Sequence, residues 1–288
     1  MGRPKALLLL CRNRNAVIGV TIFLMFLFCS VFAHFISPFD PNDQSLPRRL
    51  RPPGWVNEEG NVHLLGTDAL GRDVLSRVIH GSRISLIVGF ASVGGSGTLG
   101  ILLGLIAGFW GGILDRIIMR LVDIQLALPF IIISLVIVAI LGASIQNIVF
   151  IFTVTSWVAY ARMVRGSVLS VRETDFVLAA RCIGVSQPHM LFHHILPNVL
   201  TPVIVLASFE TARMILSESA LSFLGLSVPP PAVTWGGMLA EGREYLRDAW
   251  WIATFPGLAI MVTVLGINFI GDGLRDAFDY RGRQYLGT

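Results

Sequence analysis

The stretch Arg172–Asn198, RETDFVLAARCIGVSQPHMLFHHILPN, decides the fold, because it is a polar, helix-forming segment set between long apolar runs. Its spacing predicts a helix over 175–184, with Thr174 as the N-terminal cap and Asp175 favourably placed in the first turn. Gly184 stands where a left-handed residue commonly ends a helix. One face of this helix carries apolar residues at the i, i+3, i+4, i+7 spacing, namely Phe176, Ala179, Ala180 and Ile183.

Two uses are open for this short helix. A small apolar face outside the membrane suits the groove of a partner protein. The alternative is a loop helix that packs on its own bundle, and the spacing alone does not choose between them. Ser186 and Pro188 suit the start of a second helix, and Pro197 falls near the start of the next apolar run.

The apolar runs on both sides of this stretch indicate a polytopic membrane protein of the all-α class. Hydrophobic residues make up 54% of the 288 residues, charged residues only 14%, and the mean hydropathy is +0.72. A soluble domain carries about 25% charged residues, so a water-soluble globule and a disordered chain are both excluded. Because about 20 apolar residues cross a bilayer, the runs predict six transmembrane helices, at 16–36, 84–110, 119–142, 147–163, 199–223 and 251–271.

Basic residues orient these spans. Segment 1–15 holds Arg3, Lys5, Arg12 and Arg14 and no acidic residue, which places it in the cytoplasm and, with six spans, the C-terminus as well. Basic residues on one face of the membrane account for the net charge of +4, so no nucleic-acid partner is expected. The predicted organisation is a cytoplasmic segment 1–15, a first transmembrane helix 16–36, a periplasmic (outer) loop 37–83, a transmembrane domain 84–271 with a cytoplasmic loop 164–198, and a cytoplasmic tail 272–288.

The outer loop contains a predicted amphipathic helix that Thr67 or Asp68 would cap. It either lies along the membrane interface in contact with an outer partner or only leads the chain into the second span. A second surface helix, over 237–247 and carrying Glu241, is a candidate contact for the same outer partner. The apolar face of the first helix would comprise Leu70, Val74, Leu75 and Val78.

The motifs for catalysis and nucleotide binding are missing from this sequence. The run 95–100 fits G-x-G-x-x-G, but it lies inside an apolar span without the strand that a dinucleotide site needs. Gly100, Gly104 and Gly108 instead share one helix face, where small residues let two backbones approach closely. We therefore expect no enzyme activity, no catalytic residues, no metal site and no cofactor bound by this chain.

Three ionisable residues lie in the fifth span. Glu210 and Arg213 are three positions apart and can pair on one helix face, and Glu218 lies further along. A charge near the bilayer centre costs roughly 2.5–3.5 kcal/mol, so such residues face protein or water. They line a transport pathway or hold a subunit interface together, and both interpretations stay open.

The stretch 172–198 resembles the coupling-loop signature of ABC importer permeases, which reads Glu-Ala-Ala, three residues, Gly, nine residues, Ile, one residue, Leu-Pro. Leu178 stands where the family has Glu, and His194 stands where it has Ile. The missing Glu removes any specific salt bridge from that position. The matching residues are Ala179, Ala180, Gly184, Leu196 and Pro197.

The resemblance covers nearly the whole chain. Residues 65–74, 218–226 and 272–276 are similar to segments of the dipeptide/oligopeptide/nickel permease subfamily. Within it, the chain most resembles the second, C-type permease subunit of dipeptide and oligopeptide importers. The resemblance implies a type I ABC importer permease fold in the bacterial cytoplasmic (inner) membrane.

The resemblance also implies partners and site residues. The implied cargo is a di- or oligopeptide, with nickel, glutathione or another small solute as the alternative. The implied partners are a homologous B-type permease, two cytoplasmic ATP-binding subunits that use ATP and Mg, an extracytoplasmic solute-binding protein and the lipid bilayer. Residues expected to contact the ATPases are Asp175, Phe176, Ala179, Ala180, Ile183, Gly184, Leu196 and Pro197.

Two other classes of protein give different expectations. An autonomous channel or ion-coupled carrier would transport its solute without ATPase subunits. A membrane-embedded enzyme would need a nucleophile and a base close together within the spans, and the sequence shows no such cluster.

Overall fold

Long apolar helices make up most of the chain in the computed structural model, which describes residues 13–285. Two short strands, β1 (Trp55–Val56) and β2 (Val62–His63), pair antiparallel. Single turns of 3₁₀ or π helix join some of the α-helices. The α-helices are α1 (Arg14–Val31), α2 (Ala33–Ile36), α3 (Val74–Trp110), α4 (Gly112–Leu126), α5 (Phe130–Leu141), α6 (Ile145–Val171), α7 (Asp175–Cys182), α8 (Gln187–His189), α9 (Leu196–Leu221), α10 (Trp235–Gly242) and α11 (Trp251–Tyr285).

The helices agree with the prediction of six spans. By length and composition, α1, α3, α6, α11 and the run Gln187–Leu226 can each cross a membrane. The pair α4 and α5 supplies a sixth span if it is counted as one broken crossing. The all-α class predicted from composition is confirmed.

The third span differs from its prediction as one continuous helix over 119–142. The chain breaks after Leu126, and α4 and α5 meet at 87°. Pro129 lacks a backbone N–H and disfavours helical geometry at Leu128, which explains a break at this point. We call residues 127–129 the elbow.

The predicted amphipathic helix starting at Thr67 or Asp68 is wrong. Thr67 and Asp73 instead face each other across a tight turn, and Asp73 caps α3 by accepting a hydrogen bond of 2.7 Å from the Ser76 amide. Residues 65–73 therefore lead the chain into α3, which begins at Val74, before the predicted start of the second span at 84. This was the simpler of the two interpretations of the segment.

Other boundaries also move. The fourth span, predicted over 147–163, is a 27-residue helix. α11 continues through Tyr285, so the boundary predicted at 272 falls within a helix. Most of the predicted N-terminal segment, residues 1–12, lies outside the described residues, as do residues 286–288.

The closest contact between long helices joins α3 to α6, which run parallel. Gly100 lies against Trp157 and Tyr160, and Gly108 lies against Val168 further along both helices. A Cβ atom at Gly104 would lie 2.7 Å from the Ala161 carbonyl oxygen. The predicted glycine face is therefore confirmed as a helix-packing surface.

The packing also shows which loops share an end of the bundle. α1 runs antiparallel to α11, with Gly19 against Gly266, and Asn13 donates a hydrogen bond of 3.1 Å to Asp276. Both termini of the described chain lie at the end where α3 and α6 finish, which is also the end that carries α7. Residues 37–73 lie at the opposite end, where α3 begins, and we call them the outer lobe after the outer loop that the sequence predicts here.

The glycine face gives a first testable prediction. Gly104→Ala should lower the stability of the purified chain in detergent by about 1–3 kcal/mol, because the added methyl group forces two packed helices apart. Thermal unfolding followed by circular dichroism measures this effect. Gly94→Ala is the matched control on the same helix, since a Cβ there meets nothing within 4 Å. Equal melting temperatures for the two variants would contradict the prediction.

Candidate functional site

The predicted helix in the loop 164–198 is present as α7. Thr174 occupies its N-cap position, but the Thr174 hydroxyl donates to the Val171 carbonyl, at 2.6 Å, instead of capping α7. Gly184 has a φ of +81°, in the left-handed region that favours glycine. The chain reverses there, and the Val185 amide donates to the Ala180 carbonyl at 3.1 Å. The sequence therefore located both ends of this helix within two residues.

The predicted apolar face of α7 is divided between the protein interior and solvent. Ala180 is buried together with Val177, which periodicity did not select, and both pack in the main hydrophobic core. Ala179 is exposed, the Phe176 residue is 47% exposed and Ile183 is 82% exposed. The helix thus packs on its own bundle through one side and presents apolar groups to solvent on another.

The rest of this loop connects α7 to the fifth span. Pro188 lies in the first turn of the short helix α8, and a π-helical turn over Met190–Ile195 continues into α9. Leu196 and Pro197 form the start of α9, where Leu196 is half-buried and Pro197 is exposed. These two residues therefore lie on a continuous helical path from the loop into the membrane.

Polar contacts fasten the helix ends beside α7. The Arg165 guanidinium donates to Asp115 with an Nη2–Oδ2 distance of 2.7 Å, joining α6 to α4. Arg172 donates to the carbonyl of Gly108, at 3.0 Å, joining the end of α6 to the end of α3. Sequence reasoning did not find these pairs, because the partners are far apart in the chain.

Glu210 and Arg213 form the ion pair that their spacing predicts. Arg213 Nε donates to Glu210 Oε2 at 3.0 Å, and Arg213 Nη2 lies 3.3 Å from the Ser156 hydroxyl. The Arg213 guanidinium also lies over the ring of Phe130, 5.2 Å from its centroid. Glu210 is buried, whereas the Arg213 side chain is 45% exposed. The pair therefore directs a positive group outward from the bundle.

This positive group borders a cavity of about 390 Å³ at the elbow, between α6 and α9. Both polar and apolar residues line it, and a second arginine, Arg162, is among them. The sequence signal that could have located the cavity was Pro129 within an apolar run. The lining residues are Gln125, Leu126, Leu128, Pro129, Phe130, Ile133, Thr155, Ser156, Val158, Ala159, Arg162 and Arg213.

Glu218, predicted together with Glu210 and Arg213, lies apart from this cavity. It is fully buried near the outer end of α9, and the Ser222 hydroxyl donates to Glu218 Oε1 at 3.0 Å. α10 crosses α9 next to this position, where a Cβ at Gly236 would lie 2.6 Å from Ser219 Cα. Glu218 therefore lies where α9 packs against α10, and not beside the cavity.

A charge cluster joins the outer lobe to α10. Glu241 accepts hydrogen bonds of 2.7 Å from both Arg72 Nη2 and Arg77 Nη1. Asp68 contacts the same two arginines, with 2.7 Å between Asp68 Oδ2 and Arg72 Nε. The sequence marks Glu241 as a candidate contact for an outer partner. In the structure its carboxylate pairs with two arginines of the same chain, so reversing its charge would disrupt the outer lobe.

A buried histidine completes the packing of the outer lobe. His63 Nδ1 lies 2.8 Å from Asp73 Oδ1, and its ring stacks between those of Phe39 and Trp55. Asp73 thus serves both this histidine and the cap of α3. Among the described residues, no three His, Cys, Asp or Glu side chains are arranged to hold a metal ion.

Comparisons with known proteins agree on one family. Residues 100–284 match the family model described as binding-protein-dependent transport system inner membrane component. Residues 5–53 match the model for the N-terminal transmembrane domain of oligopeptide transport permease C. Together the two matches span most of the chain.

Curated relatives and solved structures extend these matches. The dipeptide transport system permease protein DppC of Escherichia coli (strain K12) is 46% identical over 273 residues, covering 95% of this chain and 91% of the relative. The di/tripeptide transport system permease protein DppC of Pseudomonas aeruginosa (strain UCBPP-PA14) is 45% identical over 267 residues, covering 93% and 88%. An inward-facing structure of the MetNI methionine ABC transporter aligns with a TM-score of 0.58 at 21% identity, covering 70% of this chain and 97% of that chain.

The ion pair in α9 gives a second testable prediction. Arg213→Gln should destabilise the purified chain in detergent by about 1–3 kcal/mol, because it leaves the buried Glu210 carboxylate without its charged donor. The double variant Glu210→Gln with Arg213→Gln should recover most of this loss, since two amides need no counter-charge. Thermal unfolding of both single variants and the double variant gives the coupling. Additive losses in the double variant would contradict the pairing.

Proposed function

Since this chain belongs to the family of binding-protein-dependent transport system inner membrane components, we propose that it is the permease subunit that carries di- or oligopeptides inward across the bacterial cytoplasmic membrane. Its fold is that of a type I ABC importer permease. The main support for a peptide cargo is the identity of 41–46% with permeases named for dipeptide or di/tripeptide transport, over more than nine tenths of this chain.

The proposed importer contains more than this chain. A homologous B-type permease forms the other half of the pathway, and an extracytoplasmic binding protein delivers the solute. Two cytoplasmic ATP-binding subunits bind and hydrolyse ATP with Mg, so this chain has no catalytic residues and binds no cofactor. The partly exposed Arg213 supports a partner or a water-filled pathway at this surface, because a guanidinium facing lipid is costly.

We assign the contact with one ATP-binding subunit to α7 and its flanking residues. The exposed side chains of Phe176 and Ile183 support this assignment, since burying each in a groove would contribute about 1.5–3 kcal/mol. Val177 and Ala180 hold the opposite side of α7 in the core. When a bound ATPase moves, α7 would therefore transmit the movement to the bundle and would not separate from it.

A continuous path leads from this contact to the membrane. The π-helical turn over Met190–Ile195 packs against α7 and continues into α9 through Leu196 and Pro197. α9 carries Glu210 and Arg213 beside the cavity at the elbow. In the proposed mechanism, closure of the ATPases displaces α7 and so repositions α9, which changes access to the pathway.

The proposed orientation places α7 and both termini in the cytoplasm. Two observations support it: the termini lie at the end that carries α7, and the N-terminal segment is basic. The ATP-binding subunits of the proposed importer, which α7 would contact, use ATP in the cytoplasm. The outer lobe then faces the compartment from which the solute arrives.

Uptake into cells tests the proposed cargo. A strain lacking this chain should lose ATP-dependent uptake of a labelled dipeptide, and restoring the chain should return it. A longer peptide, glutathione and nickel are measured in the same strains to define the range of cargo. Restored uptake of nickel or glutathione alone would show that the cargo is that solute and not a peptide. Transport without ATP-binding subunits would overturn the importer proposal.

A substitution on α7 tests the proposed coupling contact. Ile183→Asp should release the ATP-binding subunits from the purified complex and lower uptake at least tenfold, because it places a charge in an apolar contact. Leu178→Glu is the matched control, as it adds an acid to the same helix at a position that is 39% exposed and where the resembling family has Glu. Co-purification of the ATP-binding subunits measures assembly, and full assembly with Ile183→Asp would refute the contact.

A further inference from the structure

The cavity at the elbow has the size and lining of a small-molecule site. Its volume of about 390 Å³ falls in the range of about 300–1,000 Å³ that is typical of ligand pockets. Leu128 and Pro129, which line it, belong to the non-helical backbone between α4 and α5, the two halves of one broken span. Such backbone occurs within a membrane where it lies inside protein or beside a water-filled cavity.

The cavity carries an excess of positive charge. Arg213 is paired with Glu210, and its Nε and Nη2 atoms are occupied by Glu210 and Ser156. Arg162 is exposed and makes no ion pair with any residue that the structure describes. Two guanidinium groups and one carboxylate leave one positive charge to be balanced.

The start of α5 adds to this positive potential. Pro129 occupies its N-cap position and offers no side chain to the first amide groups of the helix. Uncapped amides and the helix dipole both favour a negative group at this point. Because α5 begins at the elbow, its N-terminus and the two guanidinium groups border the same space.

Apolar walls complete a site with two distinct parts. Phe130 and Ile133 lie on the α5 side, and Val158 and Ala159 lie on the α6 side. A ligand that combines a carboxylate with an apolar side chain would match both parts. A flat contact with a second permease would need no concave space of this volume.

We propose that this cavity binds the C-terminal carboxylate of a short peptide during its passage, with Arg162 and Arg213 as the carboxylate-binding residues. The proposal rests on the function proposed above and names the end of the cargo that this chain recognises. Arg213 is held in place by Glu210 and Phe130, whereas Arg162 supplies the unbalanced charge. A charge-assisted hydrogen bond from each arginine gives the recognition.

Protection of a cysteine from labelling tests the proposal without the solute-binding protein. Ala159→Cys is introduced on the cavity wall in the assembly of both permeases with both ATP-binding subunits, and Cys11, Cys29 and Cys182 are changed to serine. The rate of reaction with a neutral maleimide is then measured with alanyl-alanine or with its C-terminal amide, which differs only in lacking the carboxylate. Leu46→Cys, on the exposed surface of the outer lobe, is the matched control position.

Alanyl-alanine should slow labelling at Ala159→Cys, whereas the amide should not, and neither should affect Leu46→Cys. Arg162→Gln should raise the concentration of alanyl-alanine needed for half-protection about tenfold or more, because it removes a charged donor. The double variant Glu210→Gln with Arg213→Gln should do the same without leaving a buried carboxylate unpaired. Equal protection by the two compounds, no protection by either, or unchanged protection in both variants would overturn the proposal.

The assay separates this inference from the proposed function. Peptide uptake by the importer with no protection at Ala159→Cys would leave the transport function standing and reject the carboxylate site. Protection by alanyl-alanine in an importer that takes up no peptide would support the site and reject the proposed cargo.

Discussion

The parallel contact between α3 and α6 is the interaction on which the other parts of the structure depend. Gly100, Gly104 and Gly108 let the two backbones approach so closely that a Cβ atom at Gly100 or Gly104 would collide with a backbone carbonyl oxygen of α6. In a bilayer, where lipid tails are as apolar as leucine, such close packing is a principal source of helix association. The contact positions the α6 residues that border the cavity and also the end of α6 from which α7 extends.

Broken and irregular backbone then decides where polar chemistry is possible within the membrane. The elbow interrupts one span, and the π-helical turn before Leu196 joins the loop that carries α7 to another. The elbow opens a space beside Arg213 of α9. The π-helical turn connects α9 to α7. The proposed coupling contact and the proposed solute site are thus both connected to one helix, α9.

Local patterns in the sequence were enough to predict a large part of this protein. The number of spans follows from apolar run length, and the glycine face of α3 follows from a four-residue spacing. The ends of α7, with Gly184 in the left-handed region, and the pair of Glu210 with Arg213 were also predictable. Apart from the spans, which need runs of about 20 apolar residues, these features depend on residues within about one or two helical turns, where the helix itself sets the geometry.

Tertiary structure alone decided which groups meet across the chain. It divided the apolar face of α7, burying Ala180 with Val177 and leaving Ile183 exposed, and it separated Glu218 from the cavity. It also replaced a predicted amphipathic helix with a charge cluster in which Glu241 contacts two arginines more than 160 positions away. The sequence by itself therefore determined most of the long helices, the two ends of α7 and the membrane-spanning character of the chain. Long-range packing decided which neighbour each helix face contacts, and it formed the cavity at the elbow. Periodicity identifies an apolar face but not the element that packs against it.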